Sequence, residues 1–143
     1  MSLGMVKSLN RVLVDTNIIV SAIVYGGKPR KVLDGVWQDE YEGVISEILL
    51  AELREVIYKK FPFYKYELKQ IEEQIREDFR IVGPRKSVIL LRDKDDDRVL
   101  EAAITGECDF IVTGDKDLLD IKSYKKIKVV TPADFLAFSG VGE

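Results

Sequence analysis

Residues 11–15 read RVLVD. Three apolar residues, Val12, Leu13 and Val14, run without alternation and stop at an aspartate. A short unbroken apolar run reads as a strand buried on both faces, as parallel sheets require. In open α/β sheets, ligands bind beyond the carboxyl ends of the strands, so Asp15 stands where a site is expected. The same form returns at DFIVT (109–113), with Asp115 two residues further on.

Working outward, helical periodicity appears between such strands. Ile18, Ile19, Ala22 and Ile23 predict a helix over 16–25, and GGKP (26–29) a turn. Val32, Leu33, Val36 and Trp37 predict a helix over 30–39, and EGVIS (42–46) a second strand. Leu49, Leu53, Val56 and Ile57 line a helix over 47–60, which Pro62 breaks. Leu68, Ile71, Ile75 and Phe79 give a narrow stripe on a charged helix over 65–80, ended by GP (83–84). SVILL (87–91) is a further candidate strand. A helix over 97–106 ends at Gly106, and 116–121 is a short helical turn. KIKVV (126–130) is the last strand, and Thr131-Pro132 opens a helix over 132–138. Strands alternating with helices predict an α/β fold: a three-layer α/β/α sandwich around a central, mainly parallel sheet. We read one domain over 11–138, an extension at 1–10 and a tail at 139–143; Met5 can serve as a native start.

Composition narrows the chemistry. The 143 residues include no histidine and one cysteine, Cys108. This removes histidine-dependent triads and acid–base pairs, and leaves too few ligands for structural zinc. No disulfide framework is possible, and neither a signal peptide nor a membrane span is visible, so a cytoplasmic protein is expected. The net charge of −3 offers no bulk attraction to nucleic acid and leaves room for a local basic patch.

The acidic residues are concentrated. DKDDDRVLEAA (93–103) places four aspartates in five positions. Taken singly, each carboxylate has an ordinary explanation: Asp15, Asp96 or Asp97 as a helix cap, Glu52 as a solvated helix residue, Asp115 and Asp117 as turn formers, Asp93 and Asp95 as loop residues. Together, Asp15, Glu52, Asp96 or Asp97, and Asp115 can meet at one edge of the sheet, with Lys94, Arg98 and Lys116 as the only adjacent cations. Such a cluster suits a hard divalent cation with oxygen ligands, Mg²⁺ or Mn²⁺, and hydrolysis of phosphodiesters without histidine.

VLVDTN (12–17), Ser46 to Glu52, DDDRVLEAA (95–103) and VTGDKDLL (112–119), in this order, resemble a PIN domain, most closely the branch of toxins from toxin–antitoxin pairs. The resemblance spans Arg11 to about Phe138. It implies a metal-dependent endoribonuclease, with Asp15, Glu52, Asp97 and Asp115 as its catalytic and metal-binding positions and Asn17, Thr113 and Asp117 as supporting ones. The family spacing selects Asp97 over Asp96, which periodicity leaves open. It also implies a homodimer and a separately encoded antitoxin partner. Lys59, Lys60, Lys65, Lys69, Arg85 and Lys86 are candidate contacts for an RNA backbone, and Tyr25, Phe63 and Tyr64 candidate stacking residues; solvated surface or core packing is the plainer reading of each. Two rivals remain. GDKDLLD (114–120) resembles the late acidic motif of haloacid dehalogenase phosphatases, but Asp15-Thr16-Asn17 lacks their second aspartate. A PIN-like scaffold that only binds RNA or protein is the other.

Overall fold

A computed structural model describes residues 10–83 and 94–139, with backbone alone at 94–96 and 139. The predicted strand at 87–91 and the candidate contacts Arg85 and Lys86 lie outside the described residues. Strand β1 (Arg11–Val14) is followed by helices α1 (Thr16–Val24) and α2 (Gly27–Trp37). Next come β2 (Glu42–Ser46), α3 (Glu47–Lys60), a 3₁₀ turn (Pro62–Tyr64), α4 (Lys65–Asp78) and β3 (Arg80–Val82). The remainder is α5 (Lys94–Thr105), β4 (Phe110–Val112), α6 (Lys116–Ile121), β5 (Ser123–Tyr124), β6 (Ile127–Val130) and α7 (Pro132–Ser139).

The strands form one sheet in the order β3-β2-β1-β4-β6-β5. All neighbours are parallel except β5, which runs antiparallel to β6 at one edge. Strand β1 lies at the centre, between β2 and β4, and Val12, Leu13 and Val14 are fully buried. The chain builds outward from β1 to β3, then returns across β1 to place β4 on the other side. Right-handed crossovers made in opposite directions put α1–α4 and α5 on opposite faces. That is the predicted three-layer sandwich. The reversal also opens a crevice between the carboxyl ends of β1 and β4, the topological switch point where such sheets bind ligands.

Four boundaries differ from expectation. Helix α2 begins at Gly27, inside the predicted GGKP turn, because the positive φ of Gly26 and Gly27 completes the turn before Pro29 enters the first helical turn; it ends at Trp37 rather than 39. Helix α4 stops at Asp78 because Phe79 takes an extended conformation and packs its ring on Trp37 (centroids 5.6 Å apart). Residues 80–82 then pair with β2 as an edge strand, which at three residues is too short to show a period. Helix α5 begins at Lys94, three residues before the predicted 97. Its acidic start is favoured by the positive end of the helix dipole, although the apolar period begins only at Val99. Neither Asp96 nor Asp97 therefore precedes the helix as its cap. Finally, β5 joins the sheet through a turn with positive φ at Lys125 and Lys126, where no glycine or asparagine announces it.

Candidate functional site at the β1–β4 crevice

Asp15 follows the last residue of β1, and its N–H donates to the carbonyl of Val112, the last residue of β4, at 3.0 Å. It occupies the cap position of α1, yet its side chain makes no capping hydrogen bond. Instead, the Thr113 hydroxyl donates to Asp15 Oδ2 at 2.7 Å. The same hydroxyl accepts the N–H of Asp115 at 2.9 Å. Thr113, fully buried, thus ties the end of β1 to the loop after β4.

Asp115 caps α6: its Oδ1 accepts from the N–H of Asp117 at 2.8 Å and of Leu118 at 3.4 Å. The turn-forming explanation of Asp115 is correct as far as Oδ1 is concerned. It does not account for the position of Asp115 beside Asp15. Burial pushes the Asp15 carboxyl above the ordinary carboxylate range; the Thr113 hydrogen bond opposes this, and the Asp115 charge adds to it. The nearby N–H groups of Thr16 and Asn17 also favour the ionised form. Asn17 and Asp117 themselves are exposed.

The other two acidic positions come from α3 and α5. Ser46 caps α3, its hydroxyl accepting the Leu49 N–H at 3.2 Å, and the Thr16 hydroxyl donates to the Leu49 carbonyl at 3.2 Å. These bonds fix the first turn of α3 against the start of α1. One turn on, Glu52 Oε1 accepts from Arg98 Nη1 of α5 at 2.8 Å. Asp97, the residue before Arg98, is buried. The structure therefore brings Asp15 to Asp115, and Glu52 to the first turns of α5 that carry Asp97. Among the described residues, no three carboxylates gather closely enough to form a ready metal cage.

The sequence matches the PIN domain family over residues 11–117. This chain belongs to the PIN domain family. The match contains all four acidic positions. No curated protein matches the chain. In fold, this PIN domain is similar to a chain of the crystal structure of VapBC2 from Rickettsia felis bound to a DNA fragment from their promoter. The TM-score is 0.58 at 17% identity, covering 83% of this chain and 96% of that one.

Two features of the site were not legible beforehand. Arg98 was visible only as an adjacent cation, and nothing in the spacing of 52 and 98 paired it with Glu52. The double role of Thr113 follows from the register Val14↔Val112, which no local pattern reveals. Among the described residues no helix is long and apolar enough to cross a membrane.

Proposed function

We propose that this PIN domain is a metal-dependent endoribonuclease, the toxin of a toxin–antitoxin pair. The observation that carries the reading is the Asp15–Thr113–Asp115 group at the switch point, where the charge of Asp115 acts on the buried Asp15 carboxyl and, among the described residues, no cation pairs with either. The donor set is all oxygen, which suits Mg²⁺ or Mn²⁺ rather than a softer ion. Asp15 and Asp115 would hold the ion, with Asp97 and Glu52 completing its surroundings. Bound there, it would polarise a backbone phosphate and lower the pKa of an attacking water.

The chain's own residues prepare that arrangement. Thr113 orients the Asp15 carboxylate through a neutral donor, leaving its charge uncompensated. Asp115 is held by the start of α6 through one oxygen only. Arg98 balances Glu52, so that the acidic positions do not all repel an approaching RNA strand. The fold likeness to VapBC2 supports an antitoxin partner for this chain; the homodimer is an expectation of the family resemblance alone.

Purified protein should cleave single-stranded RNA with Mg²⁺ or Mn²⁺, and stop with EDTA. Equal cleavage by Asp115→Asn, or in EDTA, would refute the reading. A second reading has its own support: the absence of a three-carboxylate group among the described residues and the Glu52–Arg98 pair fit a scaffold that binds without cutting. Metal binding without turnover of RNA would favour it. Turnover of a simple phosphomonoester in preference to RNA would favour the phosphatase class instead.

A further inference from the structure

Among the described residues Tyr25, Ile48 and Phe138 are exposed large apolar side chains separate from one another in sequence, but three others are clustered. Tyr58, Phe63 and Tyr66 are 54%, 95% and 69% exposed. They fall within nine residues, at the end of α3, in the 3₁₀ turn and at the start of α4. Exposed aromatics in such number need a reason, because each forfeits the gain of burial. The same segment is basic. Residues 58–69, YKKFPFYKYELK, hold four lysines against one glutamate, in a chain whose net charge is −3.

The contacts keep these cations available. Among the described residues no carboxylate pairs with Lys60, Lys65 or Lys69. Lys59 pairs with Glu55 at 3.1 Å, but both partners are exposed, and such a pair contributes little in water. The Lys65 ammonium stands over the Tyr58 ring at 5.6 Å. Between Tyr58, Tyr66, Leu68 and Lys69 lies a groove of about 490 Å³, a volume that admits a small planar group. Its far wall carries Glu72, Glu73 and Arg76.

We propose that the α3–α4 tip is a docking strip for single-stranded RNA, with bases stacked on Phe63 and Tyr66 and the backbone tracked by Lys60, Lys65 and Lys69. Stacking platforms interleaved with cations are the general means of holding an unpaired strand without reading its sequence. Tyr58 lies about 9 Å along the α3 axis from Glu52, so a strand on the strip extends toward the acidic crevice. Charge favours this occupant: a basic strip on an acidic protein attracts a polyanion locally while the rest of the surface repels it. The inference rests on the nuclease reading for its biological use, but binding itself does not.

The test is fluorescence anisotropy with end-labelled 12-nucleotide oligo(U) and oligo(A) in EDTA, where no metal-dependent cutting occurs. The variants are Phe63→Ala/Tyr66→Ala and Lys60→Gln/Lys69→Gln; all four side chains are exposed, and unchanged melting temperatures confirm intact folds. The aromatic pair should weaken binding about tenfold or more, with the salt dependence unchanged. The lysine pair should lower the slope of log K against log salt by about 1.4, at roughly 0.7 per phosphate contact. The proposal is overturned if wild type does not bind either oligonucleotide, or if both strip variants bind as wild type with the same salt slope. It is equally overturned if the strip variants keep their RNA affinity but change from dimer to monomer in sedimentation, because the strip is then an interface between copies. Binding that depends on the strip, in a protein that never cleaves RNA, would defeat the nuclease reading and leave the strip standing.

Discussion

Asp15 and Glu52 are both acidic side chains shielded from solvent, and the chain treats them in opposite ways. Asp15 receives a neutral hydroxyl from Thr113 and faces a second carboxylate, Asp115, so that burial and repulsion both resist its ionisation. Glu52, with its side chain 24% exposed, receives a guanidinium at 2.8 Å. One carboxylate is oriented but left uncompensated; the other is compensated from within. A fold that needed only stability would treat both as it treats Glu52, since an uncompensated buried charge is costly. In the proposed metal-dependent reading, this difference favours the β1–β4 crevice over the α3–α5 contact as the seat of the ion.

The sharpest way to test this contrast is by activity. Asp15→Asn and Asp115→Asn should each lower RNA cleavage by about 100-fold or more, the usual loss when a main electrostatic element leaves a site. Asp97→Asn should fall in the same class and Asp96→Asn well outside it, as single-turnover assays in Mn²⁺ would show. If Asp96→Asn were the crippled variant, the ligand assignment on α5 would have to move by one residue.

Thr113→Val attacks the neutral half of the comparison. The variant keeps the shape of a buried residue but removes the donor to Asp15 and the acceptor for the Asp115 N–H. Leaving such buried groups unmatched costs about 1–3 kcal/mol, so the urea midpoint should drop clearly at neutral pH. A variant as stable as wild type would mean that water replaces the hydroxyl and that Thr113 does not organise the site.

How far these features could be read beforehand depended on the kind of signal each one carries. The stretches RVLVD and DFIVT announced themselves because buried parallel strands need unbroken apolar runs. Helices α3 and α6 were read with the bounds they have; the structure adds that Ser46 and Asp115 cap their starts. Strands β3 and β5 were missed since three and two residues cannot show a period; Lys125 and Lys126 also take positive φ where glycine or asparagine is expected. The start of α5 was misplaced because the helix dipole, not apolar spacing, favours its acidic first turn. The candidate residues Asp15, Glu52, Asp97 and Asp115 were legible as types in order. Which of them share a hydrogen bond, and which has a cation, is set by strand register and helix packing, and no local pattern encodes those.

Arg98→Gln tests the compensated half, and its effect on stability should be small. The Arg98–Glu52 pair is partly exposed on both sides, and pairs of that kind contribute about 0.5 kcal/mol. Its clearer signature is linkage to metal. Removing the guanidinium makes Glu52 resemble Asp15, so Mn²⁺ should raise the melting temperature of Arg98→Gln more than that of wild type, by mass action on the folded state. An equal response would show that Glu52 lies outside the ion's reach.

The finest test concerns Asp15 and pH, and its sign can be derived. Burial and Asp115 raise the folded-state pKa of Asp15 above the ordinary aspartate value of the unfolded chain. Between the unfolded and folded values the native chain holds more protons than the unfolded chain, so stability falls as pH rises through that window. Below the window the penalty is absent, and above the folded value it is fully present. Asp15→Asn removes the titration while its amide oxygen still accepts from Thr113 and its amide N–H groups can donate toward Asp115. In EDTA, urea melts of both proteins from pH 3.5 to 8 should therefore show the variant gaining on wild type as pH rises, then holding a constant lead. Adding Mn²⁺ at pH 8 should erase that lead, because the ion stabilises only the charged site. A variant that loses ground as pH rises would mean that Asp15 is held ionised by a favourable partner, and would cancel its contrast with Glu52.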